Sequence, residues 1–208
     1  MSNESINFKK ILNDSRETLL NPKAYFQSMP LTGGITEPLI KAAIYGTLAG
    51  LFALLWSVVG LSAVGAGLLG GAIGIMSLIW AIIGAIIGLF IGGVIMLIIS
   101  AICGGNTDFE ANLRVSASLM VIYPINAFLA LFYGINFTLG GVIALAVSLF
   151  GIYLLYHAVI QALKGKESSM KIVAIVLLVF ALVGFFGGRK ASNSIRDFSE
   201  MYEEELVD

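Results

Sequence analysis

The feature that most constrains this chain is a run of 66 residues, between Lys41 and Asp108, that contains no charged side chain. A membrane-spanning helix needs about 20 apolar residues to cross a hydrocarbon core roughly 30 Å thick. Only 12% of all residues in the chain are charged, whereas about 25% are charged in soluble domains. A soluble fold would have to bury the whole run with too little polar surface to cover it. The chain is therefore predicted to be an integral membrane protein.

Five apolar segments are long enough to cross a bilayer. They cover roughly residues 42–60, 75–102, 113–133, 137–163 and 172–188. Because lipid cannot hydrogen-bond to an open backbone, each segment is predicted to be an α-helix. The expected fold class is an all-α integral membrane protein, a five-helix transmembrane bundle preceded by an amino-terminal interfacial amphipathic helix.

The long uncharged run leaves one alternative open, because three short helices in place of two would give six spans. That arrangement requires very tight turns, whereas four glycines (Gly65, Gly67, Gly70 and Gly71) favour one longer connection. Charge asymmetry agrees. Five spans leave nine Lys and Arg residues on the amino-terminal side and three on the other, while six spans give eight against four. We predict five spans in the cell membrane, with the amino terminus cytoplasmic and the carboxy terminus on the opposite side.

The chain is predicted to have three parts: a cytoplasmic leader with interfacial helices (1–38), the five-span domain (39–189) and an acidic carboxy-terminal tail (190–208) that is too polar to fold alone. In the leader, the apolar residues share one side of a helical wheel: Phe8, Ile11, Leu12 and Leu19. Such a helix is predicted to lie on the cytoplasmic leaflet, with a frayed polar tail as the alternative. Asn21 is predicted to cap a second helix that starts at Pro22.

Glycines recur every fourth residue in the second predicted span. They are Gly84, Gly88 and Gly92, and the first span carries Gly46 and Gly50 at the same spacing. Small residues stacked on one face let a neighbouring helix approach closely. The pattern predicts helix packing, which we expect within one molecule more than between two copies of the chain.

Polar residues inside the spans are the candidate functional positions. They are Tyr123 and Asn126 in the third span, beside Pro124, and Tyr153, His157 and Gln161 at helical spacing in the fourth. Polar side chains in a span usually face the bundle interior. We favour a structural role, with His157 donating a hydrogen bond to Ser116, Ser118 or a backbone carbonyl and Pro124 kinking its helix. The alternative is a pathway for a small solute or ion along these two spans.

The start of the third span carries local signals of its own. Thr107 and Glu110 have the spacing of a capping box, which predicts where that helix begins. Glu110 and Arg114 are then expected to form an ion pair one helical turn apart.

Cofactor, metal and catalytic sites are not expected. The residues from Gly65 to Gly70 match a dinucleotide-binding fingerprint in spacing, but the next acidic residue, Asp108, lies far beyond the roughly 20 residues that such a site requires. Cys103 is the only cysteine and His157 the only histidine, which excludes a metal site built from several of them. No catalytic set of side chains is evident, so the chain is not expected to be an enzyme. A net charge of −1 gives no reason to expect nucleic acid.

The order of several short motifs resembles that of the Yip family, the Ypt/Rab-interacting multi-pass membrane proteins, in its short prokaryotic form. In chain order they are Asn21-Pro22-Lys23-Ala24-Tyr25-Phe26, Glu37-Pro38, a polar link from Asn106 to Arg114, Tyr123-Pro124 and Gly151-Ile152-Tyr153-Leu154-Leu155-Tyr156-His157. The resemblance covers residues 21–188, implies a five-helix membrane domain with a cytoplasmic amino terminus, and makes family-like positions of Pro22, Phe26, Pro38, Tyr123 and Pro124.

The resemblance also carries a functional expectation. Eukaryotic members act in vesicle trafficking and bind prenylated Rab GTPases, but this chain lacks their long cytoplasmic leader and the Asp-Leu-Tyr-Gly-Pro type motif after it, so GTPase binding is not expected. We expect a non-enzymatic protein that organises membrane or partner proteins. Its partners would be the lipid bilayer and a second copy or another membrane protein.

Overall fold

A computed structural model describes residues 8–61 and 70–205, with side chains described at 8–61, 76 and 78–188. All regular elements in these ranges are helical. In chain order they are α1 (Phe8–Leu20), α2 (Pro22–Ser28), α3 (Thr36–Val59), α4 (Gly70–Ile102), α5 (Phe109–Leu119), α6 (Ile122–Leu129), α7 (Leu131–Ile135), α8 (Phe137–His157), a π-helical turn (Ala158–Ala162) and α9 (Glu167–Glu205).

Five stretches of these helices are long and apolar enough to cross a membrane. They are Thr36–Val59, Leu78–Ile102, Phe109–Ile135, Phe137–Ala162 and Glu167–Gly188. The uncharged run holds two helices, α3 and α4, so the prediction of five spans in an all-α membrane bundle is confirmed. Within the predicted glycine-rich connection, Gly65 and Gly67 lie outside the described residues, whereas Gly70 and Gly71 already belong to α4.

The third span is divided into three short helices. α5 ends at Leu119, and the amide of Tyr123 donates to the Met120 carbonyl at 2.8 Å. Pro124, which has no amide hydrogen, falls in the first turn of α6, where that donor would have no helical partner. The proline therefore lies one turn after the break in the helix. The Trp56 indole donates to the Ala127 carbonyl at 3.0 Å and ties α6 to the end of α3.

Two local predictions at the start of α5 were wrong. The helix is capped by Asp108, whose Oδ1 accepts a hydrogen bond from the Ala111 amide at 2.8 Å, and not by Thr107. Glu110 accepts from the Gly34 amide at 2.6 Å and does not pair with Arg114. Both side chains turn instead to the segment between α2 and α3, which offers them partners that are distant in sequence.

The leader packs onto one end of the bundle. This end, where the first and third spans begin, is called the leader end below. Phe26 of α2 is fully buried in a core cluster with Val115, Val159 and Met170. In α1, Ile11 is buried, but Phe8 and Leu12 are 65% and 69% exposed, so the apolar side predicted for this helix is split. One part faces the bundle, and the other faces outward, where it can meet lipid headgroups.

The last helix extends past the boundary predicted at residue 189. α9 runs without interruption to Glu205, because adding residues to an existing helix costs far less than starting a new one. The separate character of the acidic tail stays a prediction. Most α9 side chains within the membrane segment face outward, including Val176, Phe180 and Val183.

Candidate functional site

A cavity of about 310 Å³ lies at the leader end, between the leader and the first turns of α3 and α5. We call it the leader cavity. Its charged lining consists of Lys10, Asp14, Glu17, Glu37, Lys41 and Arg114. Three basic and three acidic side chains thus share one small volume at the end of a predominantly apolar bundle.

Lys41 is the most buried of these charged residues, and its side chain is only 5% exposed. Its ammonium donates to Asp14 Oδ2 at 2.8 Å and to the Tyr25 hydroxyl at 3.2 Å, and it lies 3.4 Å from Glu37 Oε1. These three partners match the three donors of an ammonium group. Removing a charge from water is costly unless partners replace the water, so Asp14 and Glu37 are what make this position tolerable.

Arg114 fastens the segment between α2 and α3 to the bundle. Its side chain is 6% exposed, and its Nη2 lies 2.7 Å from Glu37 Oε2. Nε donates to the Pro30 carbonyl at 2.9 Å and Nη1 to the Gly34 carbonyl at 2.8 Å. Gly34 has a φ of +85°, in the region that favours glycine, so the turn that presents this carbonyl depends on that residue type.

Hydroxyl groups extend the polar cluster toward the membrane interior. The Tyr25 hydroxyl lies 2.9 Å from Ser118 Oγ on α5. The Tyr45 hydroxyl on α3 lies 2.7 Å from Ser15 Oγ on α1. Both tyrosines therefore hydrogen-bond across the joint between the leader and a span, and α1 presents a polar face to the bundle.

The arrangement is suited to holding segments together or binding a charged group. Within the described residues no set of three His, Cys, Asp or Glu side chains is placed to hold a metal ion. Glu37 is the centre of the ion pairs, since it also lies 3.1 Å from the Lys10 ammonium. One carboxylate is thus shared by three cations from α1, α3 and α5.

The five polar residues predicted as functional do not line the leader cavity. Tyr123, Asn126 and Tyr153 are exposed, while His157 and Gln161 are partly buried. Their functional role stays a prediction. They do not come together as a single site in the described part of the molecule.

The expected partners of His157 are engaged elsewhere. Ser118 pairs with Tyr25 and with the Arg114 carbonyl, and Ser116 reaches the Leu89 carbonyl. The His157 Nδ1 is buried without a hydrogen-bond partner, and its ring packs edge-on against that of Tyr153 with centroids 4.7 Å apart. The predicted hydrogen bond from His157 to α5 was wrong, because the leader occupies the serine.

The predicted packing glycines fall into two groups. A Cβ at Gly46 would lie 2.6 Å from Ala85 Cβ, one at Gly50 would lie 2.7 Å from Leu78 Cδ1, and one at Gly92 would clash with the Ser116 hydroxyl. A Cβ at Gly84 or Gly88 meets nothing within 4 Å. The first three therefore lie at close contacts inside the bundle, while the role of the other two in packing stays a prediction.

The five family-like positions fall into two groups, three buried residues in α2 and α3 and two residues in α6. Pro22 begins α2 and is buried, and Phe26 is in the core. Pro38 is buried in the first turn of α3 and lines the leader cavity. Tyr123 is exposed and Pro124 partly buried in α6, away from that cavity.

Sequence reasoning missed the leader cavity itself. The available signal was the pair of charges, Lys41 and Arg114, placed at the start of two predicted spans, since charges at such positions usually pair with one another or with other polar groups. The polar positions Asp14, Ser15 and Thr18 on α1 were the second signal. They share a helical face with the buried Ile11.

Comparison with known protein families identifies a match over most of the chain. The family model described as the Yip1 domain covers residues 16–188. No curated protein and no solved structure matches the chain.

Proposed function

Because the chain belongs to the Yip1 domain family, with residues 16–188 matched, we propose that it organises partner membrane proteins as a non-enzymatic, multi-pass scaffold. The observation that carries this proposal is the fixed position of the leader on the bundle. Its helices are held by side chains from two different spans, so the leader end is a preformed surface and not a loose tail. A preformed surface binds a partner without the entropic cost of ordering a flexible segment.

The leader end is proposed to face the cytoplasm. It carries Lys164 and Lys166 of the loop before α9, Lys171 near the start of α9, and the basic residues of the leader, and Lys and Arg are enriched on the cytoplasmic side. The carboxy terminus is proposed to be on the opposite side.

Single-cysteine labelling of intact cells tests this orientation. Cys103 lies fully buried between α4 and α5, and burial raises the pKa of its thiol, so it should react little with a membrane-impermeant maleimide. An added cysteine at Asp208 should be labelled from outside, and one at Lys9 only after the cells are opened. Labelling of both, or of neither, in intact cells would overturn the proposed orientation.

A transport role has less support, because the polar residues that would line its pathway face outward at three of five positions. Purified protein in vesicles should give no flux of ions or small metabolites above that of empty vesicles. A flux that disappears in His157→Ala would replace the scaffold proposal with the transport one.

The scaffold proposal is tested by photocrosslinking in native membranes. A photoreactive residue replacing Lys9 or Asn13, both exposed on α1, should give discrete adducts with other membrane proteins or with a second copy. Those adducts should be reduced in Arg114→Met, which weakens the attachment of the leader, and kept in Lys171→Met, whose ion pair with Glu167 lies outside the cavity. Adducts with lipid alone would contradict the proposal.

A separate experiment tests whether α4 packs against another molecule. Gly84→Leu and Gly88→Leu add bulk where the molecule itself has space, so they probe contacts with another molecule without disturbing internal packing. If neither changes self-association or the crosslinked adducts, helix packing between molecules is not part of the function.

A further inference from the structure

The leader cavity has the position of a phospholipid headgroup site. Part of its lining comes from the first few turns of two spans, Pro38 and Lys41 on α3 and Arg114 and Ala117 on α5. The ends of transmembrane helices lie where the hydrocarbon core gives way to headgroups. The volume of about 310 Å³ is at the lower end of the range of small-ligand pockets, roughly 300–1,000 Å³.

Two basic side chains, those of Arg114 and Lys10, line this cavity. Arg114 uses three of its five N–H groups in the hydrogen bonds described above. Lys10 is at the rim, where its side chain is 51% exposed. An arginine and a lysine together are a common means of binding a phosphate.

Acidic groups with remaining acceptor capacity lie in the same cavity. Asp14 pairs with Lys41 through Oδ2, and its Oδ1 makes no hydrogen bond in the described structure. The Glu17 carboxylate accepts from the side-chain amide of Asn21 at 3.0 Å and forms no ion pair among the described residues. Both carboxylates lie on the side of α1 that also carries Lys10, since the three residues follow a helical spacing.

From these observations we propose that the leader cavity binds the headgroup of a zwitterionic phospholipid whose nitrogen is a primary ammonium, as in phosphatidylethanolamine. The phosphate lies against Lys10 and Arg114, and the ammonium donates to Asp14 and Glu17. The scaffold role does not depend on this binding, so the two proposals fail separately.

The lining discriminates among headgroups. A primary ammonium has three N–H donors for carboxylate acceptors, whereas a choline group has none and is recognised by cages of aromatic rings. Among the described side chains that line the cavity, only Tyr25 is aromatic. An anionic headgroup such as phosphatidylglycerol lacks the cation that Asp14 and Glu17 require and is repelled by their charge.

The test is native mass spectrometry of the full chain in detergent, titrated with phosphatidylethanolamine, its N-monomethyl and N-dimethyl derivatives, phosphatidylcholine and phosphatidylglycerol of the same acyl chains. Phosphatidylethanolamine is expected to bind about tenfold more tightly than phosphatidylcholine, with affinity falling at each methylation, because charge-assisted hydrogen bonds are lost. Equal affinity for these two lipids, or a preference for phosphatidylglycerol, would overturn the proposal.

Variants locate the site. Lys10→Gln and Glu17→Gln are each expected to weaken binding of phosphatidylethanolamine about tenfold. Lys9→Gln and Glu167→Gln are the matched controls, since both side chains are exposed and neither lines the cavity. Lys10 and Glu17 lie at the partly exposed edge, so these variants are expected to keep the melting temperature of the wild type. Unchanged lipid binding in both would show that the lipid binds elsewhere.

Soluble competitors separate a lipid from a free metabolite. Soluble phosphoethanolamine is expected to displace phosphatidylethanolamine at millimolar concentration, whereas inorganic phosphate is not. Binding of soluble phosphoethanolamine without any binding of the lipid would make a soluble compound the ligand and overturn the lipid proposal. Displacement by inorganic phosphate at the same concentration would reduce the site to one for anions and equally overturn it.

Discussion

Replacement of Arg114 by methionine tests whether the charged cluster holds the leader on the bundle. The substitution keeps an unbranched side chain and removes the ion pair with Glu37 and the hydrogen bonds to the carbonyls of Pro30 and Gly34. Both carbonyls belong to exposed residues, so water replaces the arginine there at little cost. The loss of the ion pair therefore dominates the change in free energy.

The size of this effect follows from the burial of the pair. Breaking a buried ion pair costs about 3–5 kcal/mol when it leaves the other charge uncompensated. Glu37 is partly exposed and keeps Lys10 and Lys41 as partners, which places the expected cost near the lower limit, at about 3 kcal/mol. That free energy corresponds to roughly a 100-fold increase in the population of molecules with a released leader.

Hydrogen exchange followed by mass spectrometry in detergent micelles measures that population locally. In Arg114→Met, peptides from α1 and α2 should exchange about 100-fold faster, while peptides from α4 exchange as in the wild type. Arg114→Lys keeps the charge but loses the forked geometry. Its leader peptides should exchange at a rate between those of the wild type and Arg114→Met. Unchanged exchange in the leader would refute the role of Arg114 in holding the leader on the bundle. Equally faster exchange in every helix would show that Arg114 contributes to global stability instead.

Three further predictions concern individual contacts, each measured as thermal stability in detergent. Gly50→Leu should destabilise the bundle by about 1–3 kcal/mol or more through overpacking, because its Cβ would lie 2.7 Å from a leucine of α4, whereas Gly84→Leu should have little effect. Tyr25→Phe should cost about 1–2 kcal/mol, since it deletes a hydroxyl that is within hydrogen-bond distance of a lysine and a serine. Asp108→Ala should cost about 1 kcal/mol as the loss of a helix cap, and Thr107→Ala, next to it, should leave stability nearly unchanged; the reverse order would reinstate Thr107 as the cap.

The overall architecture was predictable because it depends on average properties of long segments. Five apolar stretches and the cost of an open backbone in lipid determine five helices, whatever the individual contacts. The position of Pro22 at the start of α2 was predictable for a similarly local reason, since proline fits the first helical turn. Neither prediction requires knowledge of residues that are distant in sequence.

The polar contacts were not predictable in the same way. Local spacing paired Arg114 with Glu110, but the arginine binds Glu37, which is 77 residues earlier in the chain. A four-residue spacing identifies residues that are able to meet, and the partner actually used depends on which segment packs there. The same reasoning failed for His157, because Ser118 is taken by Tyr25, 93 residues away in sequence.

The divided third span has a consequence for how this protein enters the membrane. Its first part, α5, carries Asn112, Arg114, Ser116 and Ser118, all buried in the finished protein, and an arginine opposes insertion of a span, by about 2.5–3.5 kcal/mol where it lies at the span's centre and by less near its end. The acid that pairs with this arginine, Glu37, precedes it in the chain, so it has already been synthesised when α5 emerges from the ribosome. The order of synthesis thus provides Glu37 before Arg114 has to enter the membrane. A chain lacking its first 40 residues should stall with the third span outside the bilayer.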